Sequence, residues 1–381
     1  MRLTTLALRN FRNHTHTNFE FAENSNILLG DNGQGKTNVL EAISFLCLTK
    51  SFYASSDAVV LNFDGVLFEV EGVCLSDRGM ESRARVAYDK ASGRKAVLIN
   101  GQPLETFSSI IGKFPVVICS PDHAPITLGS PGDRRKFVDF VISQSNPGYL
   151  ATLMEYRRAL KQRNRVLSEA REMNADATML LEPWNEQLVQ LGGYLMIRKK
   201  KFMAEFQTYF RSAYNALVGN EEVPLMEYVP NGASADIDTE EKYRQVLWTA
   251  FREKKSAELA TGMTLTGPHR DEFACTINGH DLRKFASQGQ HKTYLVSLKL
   301  AEFFYVKERC NETPMLLLDD IFSELDEHRA AKLMEFVGDI SQTFITSTTL
   351  NSFDRPGSVG GRSRKFTIRR GELVEQNEVA A

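Results

Sequence analysis

The sequence predicts an α/β fold: a sheet-and-helix core, an antiparallel β lobe and a helical second lobe. Three observations predict it. Apolar runs at Asn26-Ile27-Leu28-Leu29 and Met315-Leu316-Leu317-Leu318 have the length and uniform hydrophobicity of strands buried in a parallel sheet. Between Ala58 and Ile118 the pattern changes to short β runs with an Asn100-Gly101 hairpin signal. After Asp133, leucines and aromatics recur at helical spacing along two long stretches. The expected division is residues 1–130 and 260–381 as one head domain, with a helical domain at 131–259 inserted in it.

Bulk properties narrow the class. Hydrophobic content of 42% and charged content of 25% are ordinary for a soluble globular chain. No apolar run approaches a membrane span, and Arg2, Arg9 and Arg12 precede no secretory apolar segment. The five cysteines are scattered, with no C-x-x-C, which suits reduced thiols in a cytoplasm and argues against zinc. A net charge of −2 means that any polyanion must be met by locally concentrated cations.

Leu3, Leu6, Leu8 and Phe11 mark a first strand, and Phe19 and Phe21 a second. Residues 26–29 then feed Gly30-Asp31-Asn32-Gly33-Gln34-Gly35-Lys36-Thr37, and an amphipathic helix follows from Asn38 to Leu48. Strand, glycine loop and helix are the context of a phosphate-binding P-loop. Glycines let backbone N–H groups turn inward where a Cβ would obstruct. The helix start adds unpaired donors and the positive end of its dipole. Lys36 is expected to reach the β- and γ-phosphates of ATP, and the Thr37 hydroxyl to ligate Mg²⁺.

The β lobe reads as runs at 59–61, 66–73, 82–88 and 96–99, with a buried strand at 115–118. In the helical region a polar stretch from Glu169 to Pro183 is expected to join two helices as an antiparallel hairpin. Pro224 to Val229 reads as a strand and Glu240 to Leu259 as a helix. Beyond residue 260, Asn278-Gly279 marks a second hairpin turn, and helices are expected at 289–310 and 326–337. Residues 354–364, rich in Gly, Ser and Arg, read as a loop.

The strand Met315–Leu318 ends in two carboxylates, at the end of a parallel sheet where ligands sit. Asp319 is expected to hold the hydrated Mg²⁺ beside Thr37, and Asp320 to orient or deprotonate the attacking water. Ser287-Gln288-Gly289-Gln290 precedes a helix, and Ser323-Glu324-Leu325-Asp326 follows the acidic pair. P-loop, Ser-x-Gly-Gln, Asp-Asp and a D-loop, in that order, are the pattern of ATP-binding-cassette ATPases.

The chain resembles the RecF family, single-chain bacterial recombination and gap-repair ATPases related to the SMC and Rad50 proteins. The resemblance rests on these elements, on Leu8-Arg9-Asn10-Phe11-Arg12-Asn13 and on Gly267-Pro268-His269-Arg270-Asp271. It implies a P-loop, ABC-type (SMC/Rad50-like) ATPase head with a helical insertion in place of a long coiled coil. It also implies a homodimer closed by ATP, in which Ser287 and Gly289 of one copy meet the γ-phosphate held by Lys36 of the other. Gln288 replaces a glycine of the transporter signature and Asp320 the usual Glu, which suits slow hydrolysis and a switch. The implied partners are DNA, RecO, RecR and RecA, and the implied work is gap repair, replication restart and SOS induction.

DNA contact would need positive stripes. Arg198-Lys199-Lys200-Lys201 is one candidate; Arg157 and Arg158, with Lys161, Arg163 and Arg165, are a second, and Arg134-Arg135-Lys136 a third. His269 and Arg270 receive no role from the residues alone. The competing readings are an ABC-transporter ATPase subunit, which needs a membrane partner, and a P-loop kinase or GTPase, which the Ser-x-Gly-Gln motif disfavours.

Overall fold

Buried apolar runs pair side by side to form the central sheet. The structure is a computed structural model that describes residues 1–54, 56–173, 177–234, 236–322, 325–337, 340–348 and 362–379. The chain divides into two compact units: 1–124, 212–221 and 288–381 in the first, and 125–211 with 222–287 in the second. The return to the first unit therefore comes at Gln288, not near residue 260, and a short segment at 212–221 belongs with the first unit. The reason is strand pairing: residues 272–277 pair with 224–229 and stay with the helices.

In the first unit, β1 (Arg2–Phe11), β2 (His14–Glu20), β4 (Leu67–Leu75), β5 (Glu81–Asp89), β6 (Arg94–Ile99) and β7 (Gln102–Pro103) form an antiparallel sheet in the order β2-β1-β4-β5-β6-β7. The second sheet holds β3 (Ser25–Leu29), β8 (Val116–Cys119), β12 (Met315–Leu318), β13 (Thr343–Ser347), β14 (Ser363–Arg369) and β15 (Glu372–Val379), in the order β15-β14-β3-β13-β12-β8. All its pairings are parallel except that of the edge strand β15. Every residue of β3, β8 and β12 is buried, as strands covered on both faces require.

Helix α1 (Lys36–Leu48) is tied to the antiparallel sheet by Phe45, which meets Phe11 and Phe68 edge to face at 5.5 and 5.6 Å. Helix α9 (Gln288–Cys310) and α10 (Glu327–Val337) bring Val296, Leu300, Phe303 and Leu333 onto Leu316 and Leu318. The run at 59–61 is not a strand: Asp57–Val60 forms a 3-10 turn, with Asp57 held 2.8 Å from Lys95. The 354–364 loop falls outside the described residues up to 361, and Ser363 already belongs to β14.

The second unit contains α2 (Pro125–Leu128), α3 (Pro131–Ser145), α4 (Pro147–Met173), most of α5 (Thr178–Val218), α6 (Glu240–Glu253), α7 (Lys255–Thr261) and α8 (Leu282–Phe285). A small antiparallel sheet, β11-β10-β9, joins β9 (Pro224–Val229), β10 (Glu272–Ile277) and β11 (His280–Asp281). The join between the long helices is shorter than the 169–183 stretch: α4 runs to Met173 and α5 starts at Thr178, continuing through Pro183. Pro183 removes one ladder bond near the helix start, while Leu181 packs with Leu167, Ala170 and Ala177. The helix expected at 240–259 is two helices divided at Lys254.

Candidate functional site

Strand β3 delivers the chain into the glycine loop. Gly35 caps α1 in the left-handed region (φ 113°) and supplies no side-chain acceptor, so the first-turn N–H groups keep their capacity for an anion. Asp31, Asn32 and Gly33 are exposed on the outer turn. Lys36 folds back over the loop, its Nζ donating to the carbonyls of Gly30 at 2.6 Å and Asp31 at 2.8 Å. Burial lowers the Lys36 pKa, while the charges of Asp320, Asp319 and Asp31 oppose that shift.

The two acidic residues after β12 have different settings. Asp319 is buried, and its Oδ1 accepts hydrogen bonds from Thr37 Oγ1 and Thr346 Oγ1, each at 2.8 Å. The Asp320 backbone adopts φ 51°, and its N–H donates to Thr346 Oγ1 at 2.8 Å. Burial raises the Asp319 pKa; the two hydroxyls oppose that, and the charges of Asp320 and Asp122 add to it. A buried carboxylate at a strand end with a hydroxyl 2.8 Å away can receive a cation. Among the described residues no group of three or more His, Cys, Asp or Glu could hold a metal. Asp319 and the Thr37 hydroxyl, 2.8 Å apart, suit Mg²⁺, which takes few protein ligands and completes its shell with phosphate and water.

Several contributors receive no role from the sequence: Thr346 and Asp122 lie in no motif, and Arg12 and Asn13 lie in one whose task the residues alone do not state. Thr346, at the end of β13, locks both acidic residues at once. Asp122 stands just past β8, the parallel neighbour of β12. Asn13 donates to the Gln34 carbonyl at 3.0 Å, and Asn38 donates to Asn13 at 2.7 Å. Arg12 grips Glu41 with two bonds of 2.8 Å, tying the loop after β1 to α1. The C-terminal hairpin also holds the P-loop: Arg370 N and Gly371 N donate to Gln34 at 2.7 and 2.9 Å.

Ser287 and Gln288 are exposed at the entry to α9, with Gly289 and Gln290 in its first turn. Asp326 caps α10, accepting from Arg329 N at 2.9 Å; Ser323 lies outside the described residues. The cation clusters split. Arg157, Arg158, Arg198 and Lys201 are exposed, and Lys200 donates to the Ile237 carbonyl. Lys199 is turned inward, donating to the Pro268 carbonyl at 2.8 Å and lying 3.4 Å from Asp271. Arg163 is buried against Glu258 at 2.6 Å, and Arg134 holds Glu272, so neither belongs to a solvated stripe.

The RecF/RecN/SMC N-terminal domain family matches residues 2–359. The chain is 42% identical to the DNA replication and repair protein RecF of Chloroherpeton thalassium (strain ATCC 35110 / GB-78) over 93% of this chain and 96% of the relative. The chain belongs to the RecF family of DNA replication and repair proteins. Two solved structures, described as the recombination mediator proteins RecF-ATPrS and RecF-ATP in the RecFOR pathway, match this RecF-family chain with TM-scores of 0.89 at 30% identity. They cover 100% and 99% of this chain, and 98% and 97% of their own. The fold is accordingly the SMC-like ATPase head. Among the described residues no helix is long and apolar enough to cross a membrane.

Proposed function

We propose that this chain is an ATP-binding, weakly hydrolysing switch that dimerises on DNA during recombinational gap repair and replication restart. The observation that carries this reading is the hydrogen bond from Thr37 Oγ1 to Asp319 Oδ1 at 2.8 Å. A hydroxyl beside the P-loop lysine and a buried carboxylate at a strand end share one point. Those two groups would hold Mg²⁺, which would neutralise charge on the phosphates of bound ATP.

Bound Mg²⁺–ATP supplies a polarised γ-phosphoryl group; the chain's own residues do the rest. The N–H groups from Gly30 to Gly35 cradle phosphate oxygens, and Lys36 exchanges its carbonyl partners for the β- and γ-phosphates. Thr37 and Asp319 would hold the metal. Asp320 orients the attacking water, and as the shorter carboxylate it does so slowly. Ser287, Gln288, Gly289 and Gln290 of a second copy close over the γ-phosphate, and Asp326 belongs to the D-loop that follows the acidic pair. These contacts vanish with ADP, so hydrolysis reopens the dimer. Arg157, Arg158, Arg198, Lys200 and Lys201 face DNA phosphates. The ATP and ATPrS forms of the solved relatives support the nucleotide, and their RecFOR pathway supports RecO and RecR as partners. RecA loading, SOS induction and a cytoplasmic location follow from the family resemblance.

The test compares DNA binding and light-scattering mass with ATP, ADP and no nucleotide. ATP alone should produce a DNA-bound dimer, and Lys36→Met should remain monomeric and weakly bound. Equal DNA binding and mass in all three states of the wild type would remove the switch.

A further inference from the structure

The second unit holds a cavity of about 210 Å³ between α3, α4, α5 and the Gly267–Asp271 loop. Three of the cation clusters and the Gly267-Pro268-His269-Arg270-Asp271 motif, separate in sequence, converge on it. Arg135, Lys136, Arg157 and Lys199 line it, against the single lining carboxylate of Asp139. The exposed side chains of Arg157 (59%) and Lys136 (77%) form the accessible part of this set, and Lys199 is buried. Leu153, Leu195, Tyr156 and Pro268 supply an apolar wall.

The cavity is built, not left over. Lys199 is fixed by the Pro268 carbonyl and Asp271, and Asp271 in turn accepts from Tyr228 at 2.7 Å and Asn231 N at 2.9 Å. Arg135 donates to the Asp271 carbonyl at 2.6 Å. His269 Nε2 faces the Thr264 carbonyl at 3.3 Å and so carries the proton, which leaves Nδ1 to accept from Tyr156 at 2.7 Å. Gly267 is required here: a Cβ on it would lie 2.6 Å from the Tyr156 hydroxyl, at φ +120°. His269 thus stays neutral, its pKa pushed down to about 4 by burial and then by the surrounding cations Arg270, Lys199 and Arg135, the Thr264 carbonyl opposing.

A cationic set with an apolar wall fits a ligand that is anionic at one end and flat and apolar at the other. We infer that this pocket receives one unpaired nucleotide of a DNA strand, its base against Leu153 and Pro268 and its phosphate on Arg135, Lys136 and Arg157. At about 210 Å³ the cavity is on the scale of one base and not of a base pair with its two backbones. The inference rests on the DNA-binding reading above and gives it a structural preference: an extruded or frayed nucleotide over an intact duplex.

The test measures binding of the full chain with ATP to three probes. One is a fully paired duplex, one the same duplex with an extra unpaired 2-aminopurine nucleotide, and one with an unpaired abasic residue instead. The unpaired base should improve affinity about tenfold, with a change in 2-aminopurine fluorescence, and the abasic probe should bind like the paired duplex. Lys136→Glu with Arg157→Glu should erase that preference. Arg158→Glu with Lys161→Glu, exposed on α4 and outside the pocket lining, should weaken all three probes and keep it. Equal affinity for paired and unpaired probes, with ATP-dependent binding intact, would overturn the pocket and leave the DNA reading standing; so would equal affinity for base and abasic site. Absence of ATP-dependent binding to any probe would overturn both.

Discussion

Gly30 packs so closely on Ile368 that a Cβ on the glycine would lie 2.4 Å from the Ile368 carbonyl oxygen. The closeness follows from the parallel pairing of β14 with β3, which sets Thr367 opposite Leu29 and carries the next residues alongside the P-loop. Strand β14 thus packs against the start of the glycine loop. Gly30 also holds φ +152°, which an L side chain rarely adopts. Gly30→Ala should cost about 1–3 kcal/mol of stability in urea unfolding and lower ATP affinity in the same protein. Undiminished nucleotide affinity would show that this contact does not position the loop.

In the proposed function Thr37 and Asp319 are the residues that would hold Mg²⁺, so the effect of removing either should appear only when metal is present. Thr37→Val should lower ATP affinity about 10–100-fold with Mg²⁺ and leave binding in EDTA nearly unchanged. Asp319 is held above the ordinary carboxylate range, chiefly by burial. The folded state therefore favours its protonated form, and the metal-free protein loses stability as pH rises through the carboxylate's unfolded and then folded values. Asp319→Asn keeps an acceptor for Thr37 and Thr346. It should raise the melting temperature of the metal-free protein at neutral pH while abolishing the gain from Mg²⁺–ATP. A lower melting temperature without metal would contradict this assignment of the burial penalty.

Two lysines of the same run on α5, Lys199 and Lys201, should behave oppositely. Lys199 is 1% exposed and pairs with buried Asp271, so Lys199→Met leaves a buried carboxylate without its ammonium. The expected loss is about 3–5 kcal/mol in denaturant unfolding. Lys201 is exposed; Lys201→Glu should change stability by no more than about 0.5 kcal/mol and weaken DNA binding in a salt-dependent way. Equal stability effects would mean that the inward turn of Lys199 is unimportant.

Acid should loosen the second unit through His269. Its pKa falls from 6.5 to about 4 on folding, so the unfolded chain binds the extra proton between those values and stability drops as pH falls through that window. At pH 5 this histidine alone accounts for about 2 kcal/mol. His14 and His123 shift the same way, so the wild type carries further acid sensitivity. His269→Gln can still accept from Tyr156 and donate to Thr264, and should flatten the pH dependence of stability between pH 7 and 5. An unchanged slope would assign the sensitivity to the other histidines.

The nucleotide loop was readable because its requirements are local. Glycines at 30, 33 and 35 state the backbone conformation, and the uniformly apolar runs at 26–29 and 315–318 state burial on both faces. The Leu-Leu-Leu-Asp-Asp run likewise showed its strand and its acidic end without help from the rest of the chain. Thr346 and Asp122 were not readable, because a single polar residue has no spacing to betray it; each joins the site through pairings of residues far apart in the sequence. The unit boundary at Gln288 and the inward turn of Lys199 depend on β9–β10 pairing and on an aspartate 72 residues away. Phosphate chemistry dictates the shape of a short loop, and that shape is encoded residue by residue. Which distant side chains meet is decided by strand register and helix rotation, and those exist only once the chain has folded.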